Sequence, residues 1–119
     1  PVIGAINGPA IGGGFCLSMA TDSRIVSEQA DFRPAGINNG LTSAELGLRY
    51  LLPRAIGTSR AFEIMLTGRD VTAEEAQSIG MVSKVVAPQD LLAECYAIAD
   101  RINGFSQLGV ELSKQMLWA

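Results

Sequence analysis

The run Gly8-Pro9-Ala10-Ile11-Gly12-Gly13-Gly14 has residue types and spacing that can do chemistry. An apolar segment precedes it and a helical pattern follows, so the glycines sit where strand turns into helix. The first N–H groups of a helix lack intrahelical partners and stand at the positive end of its dipole. Such an end suits an anion or a developing oxyanion. Phosphate is the weaker candidate. A dinucleotide fingerprint, G-x-G-x-x-G, would need glycine where Leu17 stands, and a P-loop would need Lys and Ser/Thr where Gly14 and Phe15 stand. A tight turn that binds nothing is the alternative reading.

Histidine is absent from the 119 residues. This removes Ser-His-Asp and Cys-His catalysis and most zinc sites, so no metal centre is expected. Cys16 and Cys95 lie far apart in apolar contexts, which predicts reduced thiols in a cytoplasmic chain and no disulfide framework. Cys16 falls in the first helical turn, where a thiolate is favoured. With no histidine as base, the small-hydrophobe reading takes precedence. Asn38 and Asn39 either orient a water or tolerate left-handed turn geometry. Thr42-Ser43-Ala44-Glu45 fits a capping box, in which the Glu45 side chain folds back on Thr42. Glu63, Glu74, Glu75 and Glu94 fall on helix faces and read as solvated, and Gly68 reads only as a helix stop that tolerates alanine.

Several elements must position these groups. Val2–Ile6 reads as a buried strand, Pro9–Gly14 as a loop, and Gly13, Cys16, Leu17 and Ala20 as the apolar face of a helix. Further strands are expected at 22–27 and 30–33, a loop at 34–41, and helices from 42 to just before Pro53 and over 59–67. A second capping box, Thr72 to Glu75, opens a helix closed by Gly80. A strand at 81–86 and helices from Pro88 and over 106–118 complete a mixed α/β domain.

Composition narrows the classes. Hydrophobic residues make up 48% and charged residues 18%, which excludes disorder. No apolar run reaches the roughly 18 residues of a membrane span. A net charge of −3 without a basic tract speaks against nucleic acid. There is no signal-peptide pattern, and the start at Pro1 inside a strand points to a fragment.

Pro1 to Ala20, with Asp22, resembles the signature of the crotonase superfamily, the enoyl-CoA hydratase/isomerase family. The likeness continues through Ala30-Asp31-Phe32, the loop ending at Gly40, Leu52 to Gly57, Ser59-Arg60-Ala61, Leu66 to Arg69, Ala73 to Ala76, Ile79 to Val82 and Val85-Val86. It covers essentially the whole chain. It implies an incomplete crotonase-like ββα superhelix with C-terminal helices, corresponding to the C-terminal half of the family domain without its lid helix. It also implies trimers or hexamers, an acyl-CoA thioester as ligand, and no cofactor besides the coenzyme A of the substrate. The second oxyanion N–H would be that of Gly13, and Ile11, Gly12, Gly13, Cys16, Gly36, Ile37 and Asn39 would line the substrate site. Cys16 and Gly36 stand where hydratases of the family carry their two glutamates. The resemblance leaves Glu45 as a candidate acid/base of the kind some isomerases use, which favours proton shuttling over water addition. A non-catalytic acyl-CoA carrier is the competing expectation.

Overall fold

The computed structural model describes residues 1–43 and 45–119, apart from the side chain of Glu45. Strand β1 (Ile3–Ile6) is followed by the two-residue strand β2 (Ala10–Ile11) and helix α1 (Gly13–Ala20). The motif repeats with β3 (Ser23–Ser27) and β4 (Asp31–Arg33). β1 and β3 pair in parallel, as do β2 and β4, so the chain advances one turn and lays each new strand beside its predecessor. Helices α2 (Leu48–Ile56) and α3 (Thr58–Thr67) come next, then β5 (Val71–Thr72), α4 (Ala73–Ser78) and β6 (Lys84–Val86). The latter strand extends the first sheet in the order β1-β3-β6, while β5 closes the second sheet antiparallel to β4. Helices α5 (Leu91–Asn103) and α6 (Gln107–Trp118) end the chain.

The parallel sheet is covered on both faces, which suits its Ile and Val content. Because neighbouring residues of a strand face opposite ways, Val26 joins the main core while Ile25 packs with Leu91 and Cys95 of α5. Phe15 of α1 and Phe32 of β4, both fully buried, meet at 5.5 Å between ring centres. That contact fixes α1 against the second sheet. Burial also holds the thiol of Cys95 above the ordinary range, with help from the Glu94 charge.

Polar clasps set the remaining helices. Arg24 donates to the carbonyls of Thr21 (2.6 Å), Met19 (3.3 Å) and Ser18 (3.4 Å), a cation at the C-terminus of α1, and to Met81 O at 2.8 Å. Burial pulls the Arg24 pKa down, and Asp22 opposes this. Asp22 accepts from Val2 N (2.6 Å), Lys114 Nζ (2.8 Å) and Trp118 Nε1 (3.2 Å), tying α6 to the start of β1 and β3. Burial raises its pKa, but these donors outweigh it and hold the carboxyl below the usual range.

Several expectations need correction. The buried face of α1 is Phe15, Cys16, Ser18 and Met19, whereas Leu17 is 72% exposed. All but one of its residues are apolar or glycine, so periodicity could not choose a face. The loop at 9–14 contains β2, and α1 already starts at Gly13. Thr42 does not cap α2: the N-cap is Gly47, after a short 3₁₀ turn at 45–47 in which Leu46 has φ 50°. Pro53 lies inside α2. The buried anchors Leu48, Leu52 and Ile56 hold the helix together around it. Glu63 and Glu75 are not simply solvated, since both carboxylates grip Arg69 through pairs of bonds of 2.7–2.9 Å. Glu94 pairs with Lys84 at 2.5 Å. The second capping box is real at its threonine: Thr72 Oγ1 accepts from Glu75 N at 3.2 Å.

Candidate functional site

The site begins where β2 becomes α1. The β2–β4 ladder continues one step, with Gly12 N donating to Arg33 O at 3.0 Å. Gly12 then turns the chain at φ 57°, ψ −117°, which L side chains rarely adopt. A Cβ there would also stand 3.1 Å from that of Ala35. This turn makes Gly13 the first residue of α1, so its N–H precedes the helical ladder. Among the described residues, no acceptor takes a backbone hydrogen bond from it.

Facing this helix start is the segment from Pro34 to Leu48. Its loop is held by its own side chains. Asn39 Nδ2 donates to Ala35 O at 2.7 Å, and Asn38 Nδ2 donates to Pro34 O (3.2 Å) and Gly68 O (3.0 Å). Gly36 O accepts from Asn39 N and Leu41 N, and Gly40 takes the left-handed cap at φ 73°. The asparagines therefore neither adopt left-handed geometry nor leave their amide nitrogens idle. Gly40 does the turning, and they brace the loop. Gly68 is more than a helix stop: at φ 65°, a Cβ would meet Ile37 Cγ2 at 2.7 Å and the Asn38 side chain.

Between helix and loop lies a cavity of about 260 Å³. Gly12, Gly13, Cys16, Gly36 and Asn39 all line it, so five of the seven expected substrate-site residues converge. Ile11 and Ile37 do not line it. Ile11 belongs to β2 and is 40% exposed, while Ile37 packs under Gly68. Cys16 is 5% exposed on the buried side of α1, in keeping with the small-hydrophobe reading, and neither cysteine forms a disulfide. Glu45 belongs to the 3₁₀ turn beside the cavity, but its side chain, and with it the choice between base and cap, lies outside the described residues.

Pro34, Ala35, Leu41, Ser43, Leu46 and Leu48 also line the cavity and escaped the sequence reading, and Leu46, Pro34 and Ser43 shape it most. Leu46, at positive φ, brings Cδ1 to 3.8 Å from where a Cβ of Gly13 would stand. A leucine held there stores strain, a feature that clusters at binding sites. Pro34 is fully buried and forms part of the wall. Ser43 also lines the cavity, 7% exposed, with a hydroxyl that has no hydrogen-bond partner among the described residues. Its place in an apparent capping box disguised it.

Chemically, the arrangement offers an oriented N–H at a helix start, glycines that allow close approach, and a largely apolar wall. It can hold a small polar or anionic oxygen. Among the described residues no group of His, Cys, Asp and Glu is placed to bind a metal, and no helix is long and apolar enough to cross a membrane.

Comparisons with known proteins agree with this architecture. Residues 1–118 match the family model described as "Enoyl-CoA hydratase/isomerase". A protein of Mycobacterium tuberculosis named "Probable enoyl-CoA hydratase" is 67% identical over 119 residues, covering 100% of this chain and 42% of that protein. The crystal structure of a probable enoyl-CoA hydratase/isomerase from Mycobacterium abscessus superposes with TM-score 0.97 at 67% identity, over 99% of this chain and 45% of that one. A monofunctional enoyl CoA isomerase from M. smegmatis superposes with TM-score 0.92 at 63% identity, over 99% of this chain and 55% of its own. The chain thus spans roughly half the length of the proteins it matches, and the expected crotonase-like α/β fold is found.

Proposed function

The chain belongs to the enoyl-CoA hydratase/isomerase family, and from that premise we propose that the intact protein binds an acyl-CoA thioester and stabilises its enolate at the start of α1. One observation carries the reading: the Gly13 N–H stands at the helix start beside the cavity, with no backbone acceptor among the described residues. A donor already in place strengthens its bond as charge develops on the thioester oxygen, and losing one such donor costs about 3–4 kcal/mol. Coenzyme A enters only as part of the substrate.

The reaction assigned is proton transfer between carbons. A base removes a proton from C2 of a 3-enoyl thioester, the charge moves onto the thioester oxygen, and a proton is returned at C4. No free water is consumed. Cys16 and Gly36, where the resemblance places the glutamates of hydratases, cannot act as carboxylates, and both line the cavity. The 63% identity to a protein described as a monofunctional isomerase supports this choice. Glu45 is the proposed proton carrier. Association into trimers or hexamers belongs to the same proposal, with exposed Phe62 and Leu66 of α3 as available apolar surface.

Gly13→Pro tests the donor. Proline is favoured at the first helical position, so the variant removes the N–H while keeping the helix start. Isomerisation of a 3-enoyl-CoA, and deuterium uptake at C2 of a saturated acyl-CoA, should each fall by at least about 10²-fold. Rates equal to wild type would reject the reading. A second reading, acyl-CoA carriage without turnover, is favoured by the absence of a carboxylate among the described residues of the cavity wall. Tight acyl-CoA binding with neither isomerisation nor crotonyl-CoA hydration would establish it.

A further inference from the structure

Among the described residues of the cavity wall, Ser43 alone has a side-chain hydroxyl that is buried and without a hydrogen-bond partner. The residue is 7% exposed, its Oγ is buried without a hydrogen-bond partner, and it lines the same cavity as Gly13 and Cys16. Buried polar groups are almost always paired in native proteins, and an exception calls for an explanation. Serine carries one donor and two acceptor lone pairs, and its side chain changes rotamer by rotation about one bond. Among the described residues that line the cavity with it, Leu41, Leu46 and Leu48 offer no polar side chain, and Asn39 has committed its amide nitrogen to Ala35 O. A wall built only to hold an alkyl chain would place alanine at 43.

We infer that Ser43 is a specificity-determining residue that selects acyl groups bearing a hydroxyl oxygen over their unsubstituted counterparts. The inference rests on the acyl-CoA reading above and deepens it by naming the substrate class. Ser43 takes no part in proton transfer. It donates to, or accepts from, an oxygen on the acyl chain while Gly13 engages the thioester oxygen. A single neutral hydrogen bond gained on binding corresponds to roughly a 3- to 10-fold preference.

The test uses the intact protein and three four-carbon ligands: butyryl-CoA, 3-hydroxybutyryl-CoA and 4-hydroxybutyryl-CoA. Calorimetry gives the three dissociation constants for wild type, Ser43→Ala and Ser43→Thr. Wild type should bind at least one hydroxylated ligand about 3- to 10-fold more tightly than butyryl-CoA. Ser43→Ala should erase that preference while leaving butyryl-CoA binding within about twofold, and Ser43→Thr, which keeps the hydroxyl, should retain it. Thermal stability supplies a readout that a purely structural serine would move the other way. Removing an unpaired buried hydroxyl should leave Tm unchanged or raise it, whereas a structural serine would lower it. Wild type that binds all three ligands alike overturns the inference and leaves the acyl-CoA reading standing. So does a preference that survives Ser43→Ala, or a variant that loses Tm and all three affinities together. Wild type that binds none of them overturns both.

Discussion

Gly68→Ala should damage the site from the far end of α3. Gly68 is the left-handed cap of that helix at φ 65°, a conformation that costs an L residue roughly 1–2 kcal/mol. The added Cβ would fall 2.7 Å from Ile37 Cγ2 and against the Asn38 side chain, so the loop must give way. Moving Asn38 forfeits its bonds to Pro34 O and Gly68 O. Asn38 is exposed, so each bond takes the low end of the usual range, about 0.5 kcal/mol. Together these give a loss of about 2–3 kcal/mol, to be read from urea unfolding of the intact protein. Asn38→Ala removes the bonds without the backbone strain and should cost only about 1 kcal/mol. Both variants loosen a wall of the cavity, so acyl-CoA affinity should fall with stability, more for Gly68→Ala. If Gly68→Ala unfolds within 0.5 kcal/mol of wild type and binds normally, the loop is not braced as described.

Glu45→Gln retains the shape of the side chain but cannot accept a proton at neutral pH. If Glu45 is the base, isomerisation should fall by roughly 10²–10⁴-fold with stability unchanged, and normal turnover would reject Glu45 as the proton carrier. Restoring both carboxylates with Cys16→Glu and Gly36→Glu should raise crotonyl-CoA hydration by at least about tenfold, because the Gly36 backbone (φ −58°, ψ −50°) accepts any L residue. A folded double variant with unchanged hydration would refute this. Asp22, Glu63 and Glu75 have carboxyl pKa values held below the usual range. Their contribution to stability is fully present above the ordinary carboxylate values of about 4 and is lost as pH falls through the depressed folded ones. Unfolding free energies measured from pH 5 to pH 2 should therefore decline less steeply for Asp22→Asn than for wild type.

Local signals in the chain reveal the order of elements well. Gly68, Thr72 and Ser106 mark helix boundaries, and the structure places caps at all three. The core face of α1 was not legible because Gly13–Ala20 is apolar or small almost throughout, so only tertiary contact with Phe32 selects Phe15 over Leu17. The helix expected from Thr42 failed for a related reason. A capping pattern is local, whereas the buried positions of Leu48, Leu52 and Ile56 decide where α2 starts, and the left-handed Leu46 separates the two. Within the site, glycine spacing pointed to Gly12 and Gly13. The resemblance added Gly36 and Asn39, which lie some twenty residues away in sequence and come into reach only because β2 and β4 are paired.

That pairing explains why the site is built where it is. Ala10 and Ile11 stand opposite Phe32 and Arg33, so the exits of β2 and β4 leave the sheet side by side. One exit becomes α1 and presents backbone N–H groups; the other becomes the braced loop and presents side chains. On the proposed reading the helix start fixes where negative charge can develop, and glycine at 12 is required there by its positive φ and its close approach to Ala35. The loop's shape is held by Asn38, Asn39 and Gly40, of which Asn39 lines the cavity, while the Gly36 and Ser43 side-chain positions take no part in that bracing. If the proposed function holds, exchanging the groups at 16, 36 or 43 should change which proton, water or acyl oxygen is handled without disturbing the N–H of Gly13. On this division of labour, variants at Gly12 or Gly13 should impair every reaction of the protein alike, whereas variants at Ser43 should re-rank its ligands.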